Sequence, residues 1–132
     1  RHLKLTLDVD GLPFSGPCAA GLAALEVLSR EKLPARVAKE APFWEGLLHD
    51  NLADKPHVAD VRNYGFAGAL TLEPYPGEPM RRPFEVAMRM WEKGFLVRYG
   101  GDTIQLAPHF VMQRDQMSSL VGALSDSLTE LA

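Results

Sequence analysis

The sequence predicts an α+β fold: a small antiparallel or mixed sheet of about four strands with helices packed mainly on one face. Two observations carry that expectation. Four stretches repeat apolar residues at steps of three and four, the signature of amphipathic helices. Four shorter stretches alternate with period two and come as two adjacent pairs, each around a glycine-bearing turn. In chain order these give two helices, two strands, a helix, two strands and a final helix.

Residues 1–17 precede this pattern as a leader and connector. Leu3, Leu5 and Leu7 alternate with polar neighbours, which suits a short strand. Asp8-Val9-Asp10-Gly11 has the opening of a calcium loop without its distal glutamate and spaced oxygen ligands, so a solvated turn is expected. Two prolines and a glycine between Leu12 and Pro17 make an irregular connector.

A helix is expected from about Cys18 to Arg30, with Leu22, Leu25 and Leu28 on one alanine-padded face. A second runs from about Leu33 to Leu52, stepping through Val37, Ala41, Trp44 and Leu48. Pro42 lies inside it and should kink or split it, and Trp44 should be core. Val58–Arg62 and Ala67–Glu73 read as strands joined by an Asn63-Tyr64-Gly65 turn. Gly68 marks a bulge or a close backbone approach. The proline-rich run Pro74–Pro83 should be an exposed excursion that carries the Arg81-Arg82 pair. Phe84, Ala87, Met88 and Trp91 form the stripe of a third helix, expected to face the core, with Gly94 just past its end.

The segment FLVRYGGDTIQLAP, Phe95 to Pro108, organises the rest. Phe95, Val97 and Tyr99 point one way, Leu96 and Arg98 the other. Gly100, Gly101 and Asp102 turn the chain, and Ile104 and Leu106 share a face of the returning strand. Pro108 ends the pairing because it has no amide hydrogen. His109–Gln113 exits extended into a helix from Arg114, with Met117, Leu120, Val121, Leu124, Leu128 and Leu131 inward and Asp115 in its first turn.

Composition bounds the chemistry. The chain has 132 residues, 46% hydrophobic and 23% charged, as for one ordinary globular domain. Its net charge of −3, without a cluster of lysine and arginine, points away from nucleic acid and from anionic membranes. No apolar run approaches the roughly 20 residues of a membrane span, and the first residues form no apolar signal core. A lone cysteine, Cys18, builds no disulfide framework, which suits the reducing cytoplasm. Its Ala/Gly-rich surroundings make it a buried small hydrophobe. His2, His49, His57 and His109 have no partners at metal-ligand spacing, so no metal is expected. Ser15 lacks a nucleophile-elbow frame, the glycines form no phosphate loop, and nothing pairs Asp102 or Glu92 as acids. Arg98 is the exception. At the end of an apolar strand beside a turn, its planar, always charged fork can receive a substrate carboxylate. It can equally snorkel to water or pair with a local acid.

Three blocks in one order, DVRNYGFAGALTLEP (Asp60–Pro74), RPFEVAMRMWEKG (Arg82–Gly94) and FLVRYGGDTIQLAP, follow CAAGLAALEVL at Cys18–Leu28. Together they resemble the C-terminal part of class III pyridoxal-phosphate aminotransferases of the ω-amino acid:pyruvate (β-alanine:pyruvate) type. The resemblance covers most of the chain from Cys18 on and implies that residues 18–132 are the small domain of a fold-type I enzyme, a homo-oligomer (a dimer) that acts on small amino and keto acids. It also implies that Arg98 holds the substrate carboxylate. The family's Schiff-base lysine lies upstream of every matched block. Lys4, Lys32, Lys39, Lys55 and Lys93 lie in other contexts, so no catalytic residue is expected here and this chain alone should be inactive and bind no pyridoxal phosphate. The family's Thr-Tyr-Ser-Gly-His-Pro motif aligns with Pro13-Phe14-Ser15-Gly16-Pro17, which replaces the phosphate-binding threonine by proline and leaves the cofactor-binding residues unknown. The alternative is a non-catalytic module for dimerisation or for binding small carboxylates.

Overall fold

The computed structural model describes residues 15–131, so the expected strand at Leu3–Leu7 and the turn at Asp8–Gly11 lie outside the described residues. The chain forms two compact units, Arg1–Pro34 and Ala35–Ala132.

The first unit contains α1, Ser15–Arg30, which begins three residues before the expected start. Pro17 falls in its first turn, where a missing amide hydrogen costs nothing. Leu22 and Leu25 are exposed. Cys18, expected to be buried, is only partly so.

The second unit is an α+β layer. Helix α2, Leu33–Leu52, enters it from the boundary and ends where expected. Pro42 does not split it. Both Pro42 and Ala38, whose carbonyl loses its helical donor, are exposed, so water can take the missing partner's place. Strands β1 (Val58–Tyr64) and β2 (Ala67–Leu72) follow, then α3 (Arg81–Glu92), β3 (Arg98–Gly100), β4 (Thr103–Leu106) and α4 (Arg114–Thr129). The strands form one antiparallel sheet in the order β1-β2-β4-β3.

One sheet face is apolar and buried: Leu70, Leu72, Ile104 and Leu106 join Trp44, Leu48 and Leu52 of α2, Val86 and Met90 of α3, and Met117, Val121, Leu124 and Leu128 of α4. Each fully buried leucine contributes roughly 1.5–3 kcal/mol, so this shared cluster holds the unit together. The opposite face carries Arg62, Tyr64, Ala67, Gln105 and Arg98, all exposed.

Several local expectations are corrected. The first hairpin turns at Gly65-Phe66, because Asn63 and Tyr64 still pair with Gly68 and Ala67; Gly65 takes the positive φ of 57° that the turn requires. Gly68 is a close approach and not a bulge. A Cβ there would stand 2.9 Å from Leu48 Cδ1, while the register shift lies between Val58 and Asp60. The proline-rich run ends early: Arg82 and Pro83 join the first turn of α3 and are buried. The buried face of α3 is Val86, Ala87 and Met90; Phe84, Met88 and Trp91, expected to be core, are exposed. The 109–113 exit includes a turn, in which the Met112 amide donates to the His109 carbonyl.

Helix α3 ends as its glycine predicts. Gly94 has φ of 86°, its amide donates to the Trp91 carbonyl, and the Phe95 amide donates to the Met90 carbonyl at 2.8 Å. This is the double bond pattern of a Schellman stop. It also explains why β3 is shorter than expected. The Phe95 amide is committed to the helix, and Phe95–Val97 run alongside β4 without pairing, separated from it by a cleft of about 240 Å³.

Candidate functional site

Arg98 opens β3, an edge strand. The antiparallel register sets it opposite Gln105, Gln105 opposite Ala69, and Ala69 opposite Arg62, so the four form one row across the open face. Directly opposed residues share a face in such a ladder. The neighbouring row is Asp60, Thr71, Thr103 and Gly100.

The two arginines in this row are held differently. Arg62 donates through Nη1 to Asp60 Oδ2 and to Thr71 Oγ1, each at 2.7 Å, so its charge is already compensated. Arg98 makes no hydrogen bond or ion pair with any described residue and is exposed. Of the two readings open to it, the local acid is not the one realised among the described residues. Its strand is anchored from behind: Tyr99 is half-buried and meets Phe84 edge to face, with ring centroids 6.0 Å apart. The result is a charged fork on a braced edge, over a face made of small and polar side chains.

The other candidates are engaged elsewhere or stand alone. Asp102 Oδ1 accepts from the Thr103 hydroxyl at 2.9 Å, and Glu92 is exposed on α3. His49 Nε2 lies 3.2 Å from Asn63 Oδ1, His57 Nδ1 lies 3.7 Å from Glu73, and His109 is exposed. Among the described residues no group of three or more His, Cys, Asp or Glu is placed to hold a metal ion. No helix among them is long and apolar enough to cross a membrane.

Two polar clusters escaped the sequence. Arg82, expected in a loop, is buried: its guanidinium donates to the Glu73 carbonyl and lies 4.2 Å from the Tyr75 ring centre, fastening the proline-rich excursion. Its Nε and the indole Nε1 of Trp44 are buried without partners among the described residues. Arg36 of α2 donates to the carbonyls of Phe110 and Met112 at 2.8 and 2.7 Å, and Arg114 pairs with Glu40 at 2.7 Å while lying over the Phe43 ring. These contacts clasp the exit of β4 to α2. The sequence separations, 74 and 76 residues, explain why no local pattern announced them.

The fold recurs in solved transaminases. An adenosylmethionine-8-amino-7-oxononanoate aminotransferase from Methanocaldococcus jannaschii superposes with a TM-score of 0.74 at 28% identity, over 86% of this chain and 27% of that one. The PMP-bound form of an aminotransferase from Vibrio fluvialis gives 0.76 at 25% identity, over 86% and 26%. The four-stranded antiparallel sheet with its helices matches the α+β small domain of transaminases. Sequence narrows the likeness. The chain is 44% identical to a β-alanine–pyruvate aminotransferase of Pseudomonas aeruginosa over 115 residues, and 43% identical to an ω-amino acid–pyruvate aminotransferase of Pseudomonas putida over 114. Sequence and fold thus relate this chain to the class III aminotransferases, and within them to the β-alanine and ω-amino acid:pyruvate type. It spans about 25% of the length of those two relatives. No family model matches the chain.

Proposed function

We propose that residues 18–132 are the small domain of a cytoplasmic pyridoxal-phosphate-dependent transaminase, which moves an amino group between an ω-amino acid or amine and pyruvate. In this reading Arg98 receives the carboxylate of the amino or keto acid. The observation that carries it is the Arg98 guanidinium, without a partner among the described residues, on a braced edge strand inside the segment that resembles the family. A charge-assisted fork of this kind contributes about 1.5–3 kcal/mol where water is partly excluded.

The described residues do not fit a pyridoxal-phosphate site of their own. Schiff-base formation needs a lysine amine held unprotonated by its surroundings. Lys32 and Lys39 are exposed, Lys55 is half-exposed, and Lys93 is ion-paired to Glu130 at 2.7 Å. The chain's own contribution is therefore to bind and orient an acid group, and by itself it carries no transamination.

Two measurements test this. Pyridoxal phosphate added to the chain should give no borohydride-reducible visible band; a lysine adduct with turnover would overturn the assignment. Titration with pyruvate or β-alanine, followed by backbone amide shifts, should perturb β3 and β4, and Arg98→Ala should abolish the response. An unchanged response in that variant removes Arg98 from the role.

A second reading is a non-catalytic module that self-associates as a dimer. The exposed apolar residues of α3 favour it.

A further inference from the structure

Arg98 faces Gln105 across the last rung of the β3–β4 ladder. Beyond that rung the two chains part around the cleft of about 240 Å³, which Gln105 also lines. Directly opposed side chains in an antiparallel pair share a face, with Cβ atoms about 4.5–5.5 Å apart. Gln105 is therefore the cross-strand neighbour of Arg98 on the open face. It is exposed, and its side-chain amide, like the guanidinium opposite, makes no hydrogen bond with a described residue.

The tip of Gln105 lies toward the turn. A Cβ added to Gly100, two residues past Arg98 on the same strand, would stand 3.7 Å from Gln105 Nε2. The missing side chain leaves the space beside the amide open. The turn itself does not call for a glycine at this position. Gly101 supplies the positive φ, of 60°, while Gly100 is outside the left-handed region.

We propose that Gln105 is a second contact for the carboxylate that Arg98 receives, with Nε2 donating to one of its oxygens. The inference rests on the reading of Arg98 given above and adds the residue that completes that receptor. An ionised carboxylate offers about four lone-pair sites, and an arginine fork fills two of them. The amide supplies a third donor. Being neutral, it leaves the charge of Arg98 uncompensated. An acidic side chain at this rung would do the reverse, because opposite charges that face each other across strands pair. Arg98 would then be held as Arg62 is held by Asp60. The rung carries one net positive charge, which suits a monocarboxylate such as pyruvate.

The test is a titration of the isotopically labelled 132-residue chain with pyruvate, with acetamide as an uncharged control. Backbone amides of β3 and β4 and the side-chain NH2 signals of Gln105 are followed together. They should shift with one affinity, and acetamide should move none of them. Gln105→Ala should weaken pyruvate binding about two- to tenfold, the contribution of one hydrogen bond from a neutral donor. Gln105→Glu should weaken it at least tenfold, because the new carboxylate occupies Arg98. Both variants should keep the native far-UV circular dichroism, since the residue is exposed. Tyr64→Ala, elsewhere on the same sheet face, should bind as the native chain does. Native affinity in both Gln105 variants, with Arg98→Ala silent, removes Gln105 from the receptor and leaves Arg98 in it. A response that persists in Arg98→Ala, or no response in the native chain, removes Arg98 and Gln105 together.

Discussion

Gly68→Ala sets two opposing effects against each other. Gly68 lies in the middle of β2, paired with Asn63 on one side and Leu106 on the other, and it is buried. Its φ is not in the left-handed region, so an alanine would stabilise by about 0.4–1 kcal/mol through the unfolded chain alone. Against that, the new Cβ would stand 2.9 Å from Leu48 Cδ1 and 3.6 Å from both Leu106 Cβ and Trp44 Nε1. Leu48 and Trp44 are fully buried, so neither side chain has open space to rotate into. Overpacking of this kind costs about 1–3 kcal/mol, more than the entropic gain. The net expectation is a loss of about 0.5–2.5 kcal/mol, at about 4–8 °C in Tm per kcal/mol for a unit of this size. Urea unfolding followed by circular dichroism, with thermal melts in parallel, reads this directly. Leu48→Val alone should also destabilise, yet the double variant should lose less than the two single losses combined, because trimming Leu48 makes room for the methyl group. A neutral or stabilised Gly68→Ala, or strict additivity with Leu48→Val, would refute the packing argument.

Arg98→Ala should change stability by no more than about 0.5 kcal/mol, because an exposed side chain without a partner among the described residues has little folding role; a large drop in the urea midpoint would mean that the residue is structural. Gly94→Ala should cost about 1 kcal/mol by thermal melt, since the Schellman stop holds Gly94 at φ of 86°, where a Cβ is strained. The hydrogen bond from Arg114 holds the Glu40 carboxyl below the usual carboxylate range. A lowered folded-state value stabilises above the unfolded value and is lost as pH falls through the folded one. The small advantage of the native chain over Glu40→Gln should therefore be present at neutral pH, shrink as pH drops below the ordinary glutamate range, and weaken with salt because the pair is at the surface. A difference unchanged by pH in paired urea titrations would contradict this account.

Among the described residues, the sequence alone determined the number, type and order of the elements. Helix and strand periods are local properties, and Leu33–Leu52 and the β1–β2 and β3–β4 hairpins stand within a few residues of where spacing and turn residues put them. It also singled out Arg98, because a charge in an alternating apolar segment is visible without any fold. Tertiary structure alone decided which of two apolar faces of α3 is buried. Phe84, Met88 and Trp91 make as good a stripe as Val86, Ala87 and Met90, and only the placement of the sheet and α4 selects between them. It alone decided that, among the described residues, Arg62 is compensated while Arg98 is not, since the Asp60 and Thr71 that hold Arg62 are brought together by strand register. The physical reason is the same in both cases: periodicity repeats within one element and can be read along it, whereas burial and charge compensation depend on side chains that the fold brings from elsewhere.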